Sequence, residues 1–405
     1  MKKNLVVIGN GMVTGRFLDE LSKFPGHNYQ ITVISAESSG TYNRIMLSSV
    51  LAGDAQFPEI IQKSLEWFTE NQVTLRQGEA VVHVNRASKE VVTSKGNHFS
   101  YDHLVFATGS RAATIPAANQ DLNNIYPFRS VGDTQKILDH ADSCASAIVV
   151  GGGFLGLEAA WGLAQRGIKV TVIHRSEYIL NRQLDKTASQ LLQKKLELAG
   201  LHFALGTEVE AFQGDNIVQS VKLNNGSQLN CDIAIIATGI THNAELGWQI
   251  GLGGTRAIQV DPLMQTCDPN ISAIGECAEI DGQTFGLVEP LWQHAKILAN
   301  KLCAPDIREV NGFLDKPIAT KLKISGVQLF SVGKVNANDP SNEITLLDEK
   351  AGIYRKLIIE DQKIVGAVLY GDVRSGNWYV DLMCSKTELS NANTMLLFGQ
   401  EYLAA

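Results

Sequence analysis

The chain has 405 residues, 44% of them hydrophobic and 19% charged, and its 35 lysines and arginines against 42 aspartates and glutamates give a net charge of −7. That length allows two or three domains with ample core, and the acidic balance argues against nucleic acid or an anionic membrane surface as the main partner. No apolar stretch is long enough to span a bilayer, and the run after Met1-Lys2-Lys3-Asn4 is broken at Gly9 before a signal-peptide core can form, so a cytoplasmic protein is expected.

In chain order, the first predicted unit is strand Leu5–Ile8, the turn Gly9-Asn10-Gly11, a helix from Met12 to about Phe24, and strand Gln30–Ser35. A helical patch around Ile60–Asn71 and strands at 73–76, 81–84 and 91–93 follow. Leu104-Val105-Phe106 then leads into Ala107-Thr108-Gly109. The pattern repeats with strand Ile148–Val150, the turn Gly151-Gly152-Gly153-Phe154-Leu155-Gly156, helix Phe154–Arg166 and strand Lys169–His174. A leucine-spaced helix (Lys186–Ala199) precedes Ile233–Ile236 and a second Ala237-Thr238-Gly239. This is a duplication with βαβ logic and parallel sheets, the second unit inserted in the first; the segment Val260–Leu298 supplies a strand and helix that complete the first. The tail alternates, with strands expected at 321–324, 329–332, 355–359 and 364–370 and a short helix near Leu389–Phe398, as in a small α+β domain.

Each glycine turn follows an apolar strand and opens a helix, the setting a dinucleotide fingerprint needs. Glycines let the backbone turn sharply and approach a pyrophosphate, whose charge then sits at the positive helix N-terminus. Two such turns with matching closures imply two dinucleotides on one polypeptide, most simply a flavin and a nicotinamide nucleotide. In the first turn the third glycine position holds Thr14, with Gly15 next, so an altered turn is expected. Glu37, placed at the end of the second strand, is where an acid bonds the adenosine ribose; the plain alternative is an exposed loop carboxylate. The matching place in the second unit holds His174-Arg175, with Arg182 further on and no acid to repel a 2′-phosphate. Arg175 can grip such a phosphate bidentately or stand as a solvated basic loop, so NADH and NADPH both stay open. The six cysteines, at 144, 231, 267, 277, 303 and 384, include no C-x-x-C pair and no metal or iron–sulfur spacing.

The stretch Thr41–Gly53 (TYNRIMLSSVLAG) resembles the flavin-contacting segment of NAD(P)H-dependent nitrite reductase large subunits. So do Gly151–Glu158, Arg182-Gln183-Leu184-Asp185, Gly275-Glu276-Cys277-Ala278-Glu279 and Tyr370–Tyr379 (YGDVRSGNWY). The resemblance covers the whole chain but only the flavin-bearing front half of that family, and implies a free-standing electron-donor subunit for assimilatory nitrate or nitrite reduction. More distantly the chain is similar to rubredoxin and ferredoxin reductases. The implied fold is α/β, a glutathione-reductase-like pyridine nucleotide-disulfide oxidoreductase fold with two Rossmann-like domains. FAD would lie on 1–113 and 244–311, NAD(P)H on 114–243, and 312–405 would form the α+β tail.

The same resemblance implies that Arg44, Thr108, Gly109 and Arg111 line the FAD, together with Gly9, Gly11, Met12, Ser48, Val81 and Gly275. Glu276, an aspartate in most relatives, would hold the ribityl and phosphate hydroxyls. Glu289-Pro290-Leu291-Trp292 would precede a helix whose N-terminus faces the flavin's pyrimidine edge; the plain alternative for Trp292 and His294 is ordinary core and helix-face packing. Gly151, Gly153, Phe154, Leu155, Gly156 and Gly239 would frame the nicotinamide nucleotide. Glu158, read in the first turn of its helix, is either a nicotinamide-orienting group or a favourable acid at a helix start; the lysine that pairs with it in ferredoxin-reductase relatives is replaced by Ser49. No cysteine lies between Tyr42 and Leu51, which argues against a disulfide reductase. The implied acceptor is an external redox metalloprotein: a nitrate or nitrite reductase, rubredoxin or ferredoxin. An NAD(P)H oxidase and a flavin-bound redox sensor are the rivals. The tail would be a partner surface, a homodimer surface or a lid, with Arg374, Asn377, Trp378 and Tyr379 as docking anchors in a loop from Asp372 to Asp381; the alternative is that Trp378 and Tyr379 pack inward.

Overall fold

Parallel strands covered on both faces call for unbroken apolar runs, and a computed structural model of the chain contains two sheets built from such runs. It describes residues 2–304, 307–320, 322, 324, 326–389 and 393–400. Two units result, one of Met1–Leu47, Ala55–Arg111 and Ile240–Asp315, the other of Ser48–Asp54, Ala112–Gly239 and Lys316–Ala405.

In the first unit, Lys3–Ile8 lies between Tyr29–Ile34 and His103–Phe106, with Thr74–Arg76 and Ile271–Ala273 at the edges, all parallel. Leu5, Val7, Val33, Leu104, Val105 and Phe106 are fully buried. Helices Met12–Ser22 and Val288–Cys303 pack together. An antiparallel sheet of Val81–Asn85, Glu90–Thr93 and His98–Ser100 accompanies them. The second unit repeats the order: Ser146–Val150 lies between Lys169–His174 and Ile233–Ile236, flanked by His202–Leu205 and Ile125–Pro127. The expected duplication is therefore present at the level of strand order.

The tail packs within the second unit. Its antiparallel sheet runs Leu329–Gly333, Lys363–Tyr370, Ile353–Glu360, Glu343–Asp348. A polar junction ties it to the start of helix Lys186–Leu198. Asp185 caps that helix by accepting from Ala188 N, accepts a 2.6 Å bond from the Tyr354 hydroxyl, and lies 3.6 Å from the Lys356 ammonium. Lys356 is buried and also pairs with Glu343 at 2.9 Å.

Several sequence expectations give way. The patch 60–71 is not one helix: Ile61–Lys63 is a strand, and Ser64 then caps a short helix Leu65–Glu70 by accepting from Trp67 N. Glu37 does not end the second strand, which stops at Ile34. In the tail, strand Glu343–Asp348 was not anticipated, and the supposed loop Asp372–Asp381 contains the start of helix Gly376–Ser385. Gly376 and Asn377 are weak helix formers; tertiary packing decides, because Gly376 rests on the Phe330 ring and Tyr379 is fully buried, its hydroxyl donating to Leu396 O. Tyr379 is thus no docking anchor. In the expected strand 321–324, Leu322 and Ile324 are buried but not in a strand, while residues 321 and 323 lie outside the described residues. Asn393–Phe398 forms a 3₁₀ helix; residues 390–392 lie outside the described residues. Among the described residues, no helix is long and apolar enough to cross a membrane.

His103, at the start of the buried strand His103–Phe106, sits 3.0 Å from the Ser272 hydroxyl on the parallel neighbour Ile271–Ala273. Burial, aided by the Lys301 charge, pushes its pKa from about 6.5 down to about 4. The unfolded chain takes up this proton at the higher pH, so stability is lost as pH falls from about 6.5 to about 4, by on the order of 3 kcal/mol for this group. Substituting His103→Gln should flatten the pH dependence of the urea midpoint across that window. Equal slopes for variant and wild type would show that His103 is not linked to folding.

Candidate functional site

The two glycine turns share one steric device. A β-carbon on Gly9 (φ +109°) would stand 2.2 Å from the Ala107 carbonyl oxygen, and one on Gly151 (φ +125°) 2.3 Å from the Ala237 oxygen. The Ala-Thr-Gly closures are therefore not a second, separate signal. Each delivers the carbonyl that packs against the first glycine of its own turn. Beyond the contact the chain enters a helix through Gly11 or Gly153, both extended (ψ −175° and 179°) and neither followed by a side-chain cap. A β-carbon on Gly11 or Gly153 would meet nothing within 4 Å. Uncapped backbone N–H groups behind an open approach fit an anionic pyrophosphate.

The turns differ where the sequence departs from the fingerprint. A β-carbon on Gly156 would lie 1.9 Å from the Gly151 oxygen. In the first turn Thr14 fills the same place, fully buried, and its hydroxyl donates to the Gly9 carbonyl at 2.9 Å. A hydrogen bond replaces the bare contact, which is the alteration expected there. Asn10 adds a brace the sequence reading missed, accepting from the Thr41 hydroxyl at 2.7 Å and donating to Ser39 O. Its place between two glycines was the only signal.

Beyond the second strand, Glu37 is held from two sides. The Tyr42 hydroxyl and the Arg44 guanidinium each donate to it at 2.7 Å, and Arg44 also lies over the Tyr42 ring. Glu37 remains 40% exposed, so its carboxylate is oriented yet open to hydroxyl donors. At the first closure, Thr108 donates to Asn243 O at 2.6 Å, the Asn243 amide returns a bond to Thr108 O, and Arg111 reaches Asn243 and Glu245. Asn243, also missed, therefore locks the closure from the segment that re-enters this unit. Gly275 (φ +87°) presses against Val13, where a β-carbon would be 2.9 Å from Cγ1. Glu276 beside it accepts from the Ser110 hydroxyl at 2.8 Å. Met12 starts the first helix and is half-buried; Gly109 (φ +61°) lies 3.8 Å, by its would-be β-carbon, from the Glu276 carboxylate. Val81 is buried in the antiparallel sheet. Glu289, Pro290 and Leu291 occupy the first turn of helix Val288–Cys303, with Glu289 exposed and Pro290 buried. Trp292 is exposed under the Arg16 guanidinium, 5.4 Å from its ring centre, whereas His294 is fully buried.

In the second unit, His174 is a post beneath the turn. Its Nδ1 accepts from Gly152 N at 3.2 Å and its Nε2 meets the Asn181 side chain at 3.1 Å. Burial lowers its pKa, keeping the ring neutral as that acceptor role requires. Arg175 and Arg182 are both exposed on the loop that follows, and Gly239 (φ +134°) is exposed at the second closure. Phe154 and Leu155 open the helix half-buried. Glu158 is its fifth residue, buried and past the first turn, which holds no acid; the helix-start alternative for Glu158 thus loses its footing. Ser48, also buried, lies on the short segment Ser48–Asp54, which packs on this helix through Arg166 Nε donating to Leu51 O at 2.6 Å. All six cysteines are free thiols, and among the described residues no cluster of side chains could hold a metal ion.

Comparison with known proteins groups both glycine turns in one family match and the tail in another. Residues 3–296 match the family model for pyridine nucleotide-disulphide oxidoreductases, and residues 319–387 match that of the rubredoxin NAD+ reductase C-terminal domain. A nitrite reductase [NAD(P)H] of Bacillus subtilis is 38% identical over 97% of this chain and 48% of its own length. An assimilatory nitrate reductase electron transfer subunit of the same organism is 37% identical over 98% of this chain and 51% of its own. The chain thus spans about half the length of these curated relatives. Among solved structures, putidaredoxin reductase in covalent complex with putidaredoxin superposes with a TM-score of 0.88 at 22% identity, covering 99% of this chain and 98% of that one. The NADH:rubredoxin oxidoreductase of Clostridium acetobutylicum gives 0.80 at 23% identity, covering 100% and 99%; at such identities the likeness is one of fold. The extent of the first family match settles the wider assignment: this chain belongs to the pyridine nucleotide-disulphide oxidoreductases.

Proposed function

We propose that the chain is an NAD(P)H-dependent flavoprotein reductase that holds FAD on its first glycine turn and NADH or NADPH on its second, and delivers electrons to an external redox metalloprotein. The observation that carries this reading is the pair of uncapped, unobstructed helix starts at Gly11 and Gly153. The names of the relatives favour the nitrate or nitrite reductase system as acceptor, with rubredoxin or ferredoxin as the alternative.

When bound, FAD supplies the chemistry that accepts a hydride and gives up electrons singly. The protein's part is to bind and align. Gly11 and Met12 present backbone N–H groups to one pyrophosphate and Gly153, Phe154, Leu155 and Gly156 to the other, while Gly9 and Gly151, whose N–H groups are donated to Ile34 O and Ile173 O, shape the two turns. Glu37, already oriented by Tyr42 and Arg44, takes the ribose hydroxyls of the flavin nucleotide. Glu276, steadied by Ser110, takes ribityl hydroxyls, and Thr108, Gly109 and Arg111 form the wall locked by Asn243. Arg175 and Arg182 receive the adenosine end of the nicotinamide nucleotide, and Glu158 orients its ring. With no cysteine pair in the sequence to take electrons in relay, they leave for the partner directly.

Purified protein should carry one non-covalent FAD per chain and reduce ferricyanide with NADH, while oxidising NADH slowly with oxygen alone and rapidly once a redox metalloprotein acceptor is added. Release of FMN, or of no flavin after reconstitution, would sink the reading; rapid oxygen consumption without an acceptor would favour an oxidase.

Gly11→Ala and Gly153→Ala separate the two sites. Neither β-carbon meets protein and both φ values are ordinary for alanine (−79° and −83°), so both variants should fold with near-wild-type stability. Gly11→Ala should weaken FAD roughly tenfold or more and Gly153→Ala should do the same to NADH, because the second glycine is where backbone and pyrophosphate meet. Wild-type affinities in calorimetric titrations of both variants would place the nucleotides elsewhere.

Changing Arg175→Asp should lower NADPH affinity roughly thirtyfold, a loss of about 2 kcal/mol, and NADH affinity far less. Equal losses for the two nucleotides would remove Arg175 from the 2′ position.

A further inference from the structure

His294 lies on helix Val288–Cys303, one turn beyond the residues assigned to the flavin edge, and is fully buried. Its Nδ1 is 3.3 Å from Gly275 N and accepts that N–H. The nitrogen that accepts must carry a free lone pair, so the ring is the neutral tautomer with its proton on Nε2. That proton has no hydrogen-bond partner among the described residues. The ring stands edge-on to Phe285 and Phe313, at 5.7 and 5.0 Å between ring centres. A side chain of this polarity is costly in such a pocket. Leucine or methionine would fill the space without leaving a donor unpaired, so packing alone does not account for the residue.

Other bonds hold the turn at its neighbours, among them the Cys277 thiol, 3.3 Å from Ile274 O and 3.5 Å from Phe106 O. Ile274 N donates to Phe106 O at 2.9 Å, and Ala278 N closes the turn on Gly275 O. Gly275 itself sits at φ +87° against Val13, and among the described residues its N–H is received by His294. The next residue is Glu276, whose carboxylate accepts from the Ser110 hydroxyl. We infer that neutral His294 is a positioning residue for FAD: by accepting the Gly275 N–H it fixes the Ile274–Gly275 peptide, and with it the left-handed Gly275 from which the chain turns to direct Glu276 at the ribityl and phosphate hydroxyls. This rests on the reading of Gly275–Glu276 as a flavin contact.

The test compares three variants of the full chain by fluorescence titration of apoprotein with FAD, with NADH affinity and melting temperature measured on the same samples. His294→Asn keeps an acceptor near the Nδ1 position. His294→Gln moves it to the far end of the ring, and His294→Leu abolishes it. FAD affinity is expected within about threefold of wild type for the asparagine variant and roughly tenfold weaker for glutamine and leucine, since a buried N–H without an acceptor no longer favours one peptide orientation. NADH affinity should stay constant across the set. Wild-type FAD affinity in the leucine or glutamine variant, or a folded asparagine variant as weak as these, would overturn the inference. Should the leucine variant not fold, the contrast between asparagine and glutamine decides. A wild-type protein that binds no FAD would instead refute the flavoprotein reading itself, so the two failures are distinct.

Discussion

A carbonyl oxygen seated against the bare face of a glycine sets the geometry of both halves of this protein. Gly9 meets the oxygen of Ala107 and Gly151 that of Ala237, each at a distance that leaves no room for a β-carbon. Because the strands concerned are parallel neighbours, the contact holds their carboxyl ends level and starts the following helix over that edge. Open α/β sheets bind ligands in the crevice outside those ends. Any other residue at either glycine would push a strand end away and tilt the helix start; the backbone there is also left-handed, where side chains are strained.

The surrounding polar groups hold one another in place. Glu37 is gripped by Tyr42 and Arg44, and Thr108 by Asn243; Gly152 is braced by His174. Such preorganisation reduces what binding must spend on ordering side chains. Several of the groups that would touch a nucleotide are therefore held by a neighbouring side chain.

Much of this was legible from the residues. Glycine turns after apolar strands, the repeated Ala-Thr-Gly and the strand Lys169–His174 reflect rules that act within a few residues, and the structure realises them directly. What stayed hidden depends on contacts distant in sequence. Asn243 acts on Thr108 from 135 positions away, and no local pattern announces it. Helix Gly376–Ser385 begins with poor helix formers and is held by the burial of Tyr379, so local propensity pointed to a loop. Asp185 was visible as part of a familiar-looking motif. Its capping role has a local cause, whereas its bond to Tyr354 spans 169 residues.

The Asp185 junction also limits how such a chain can be recombined. Lys356 is buried between Asp185 and Glu343, and removing one partner of a buried ion pair costs about 3–5 kcal/mol. A crossover that exchanges the tail alone would bring together a cap and a lysine that had not been selected to meet. The helix cap and the tail sheet are then one energetic unit, and a grafted tail must bring its own matched partners for Asp185.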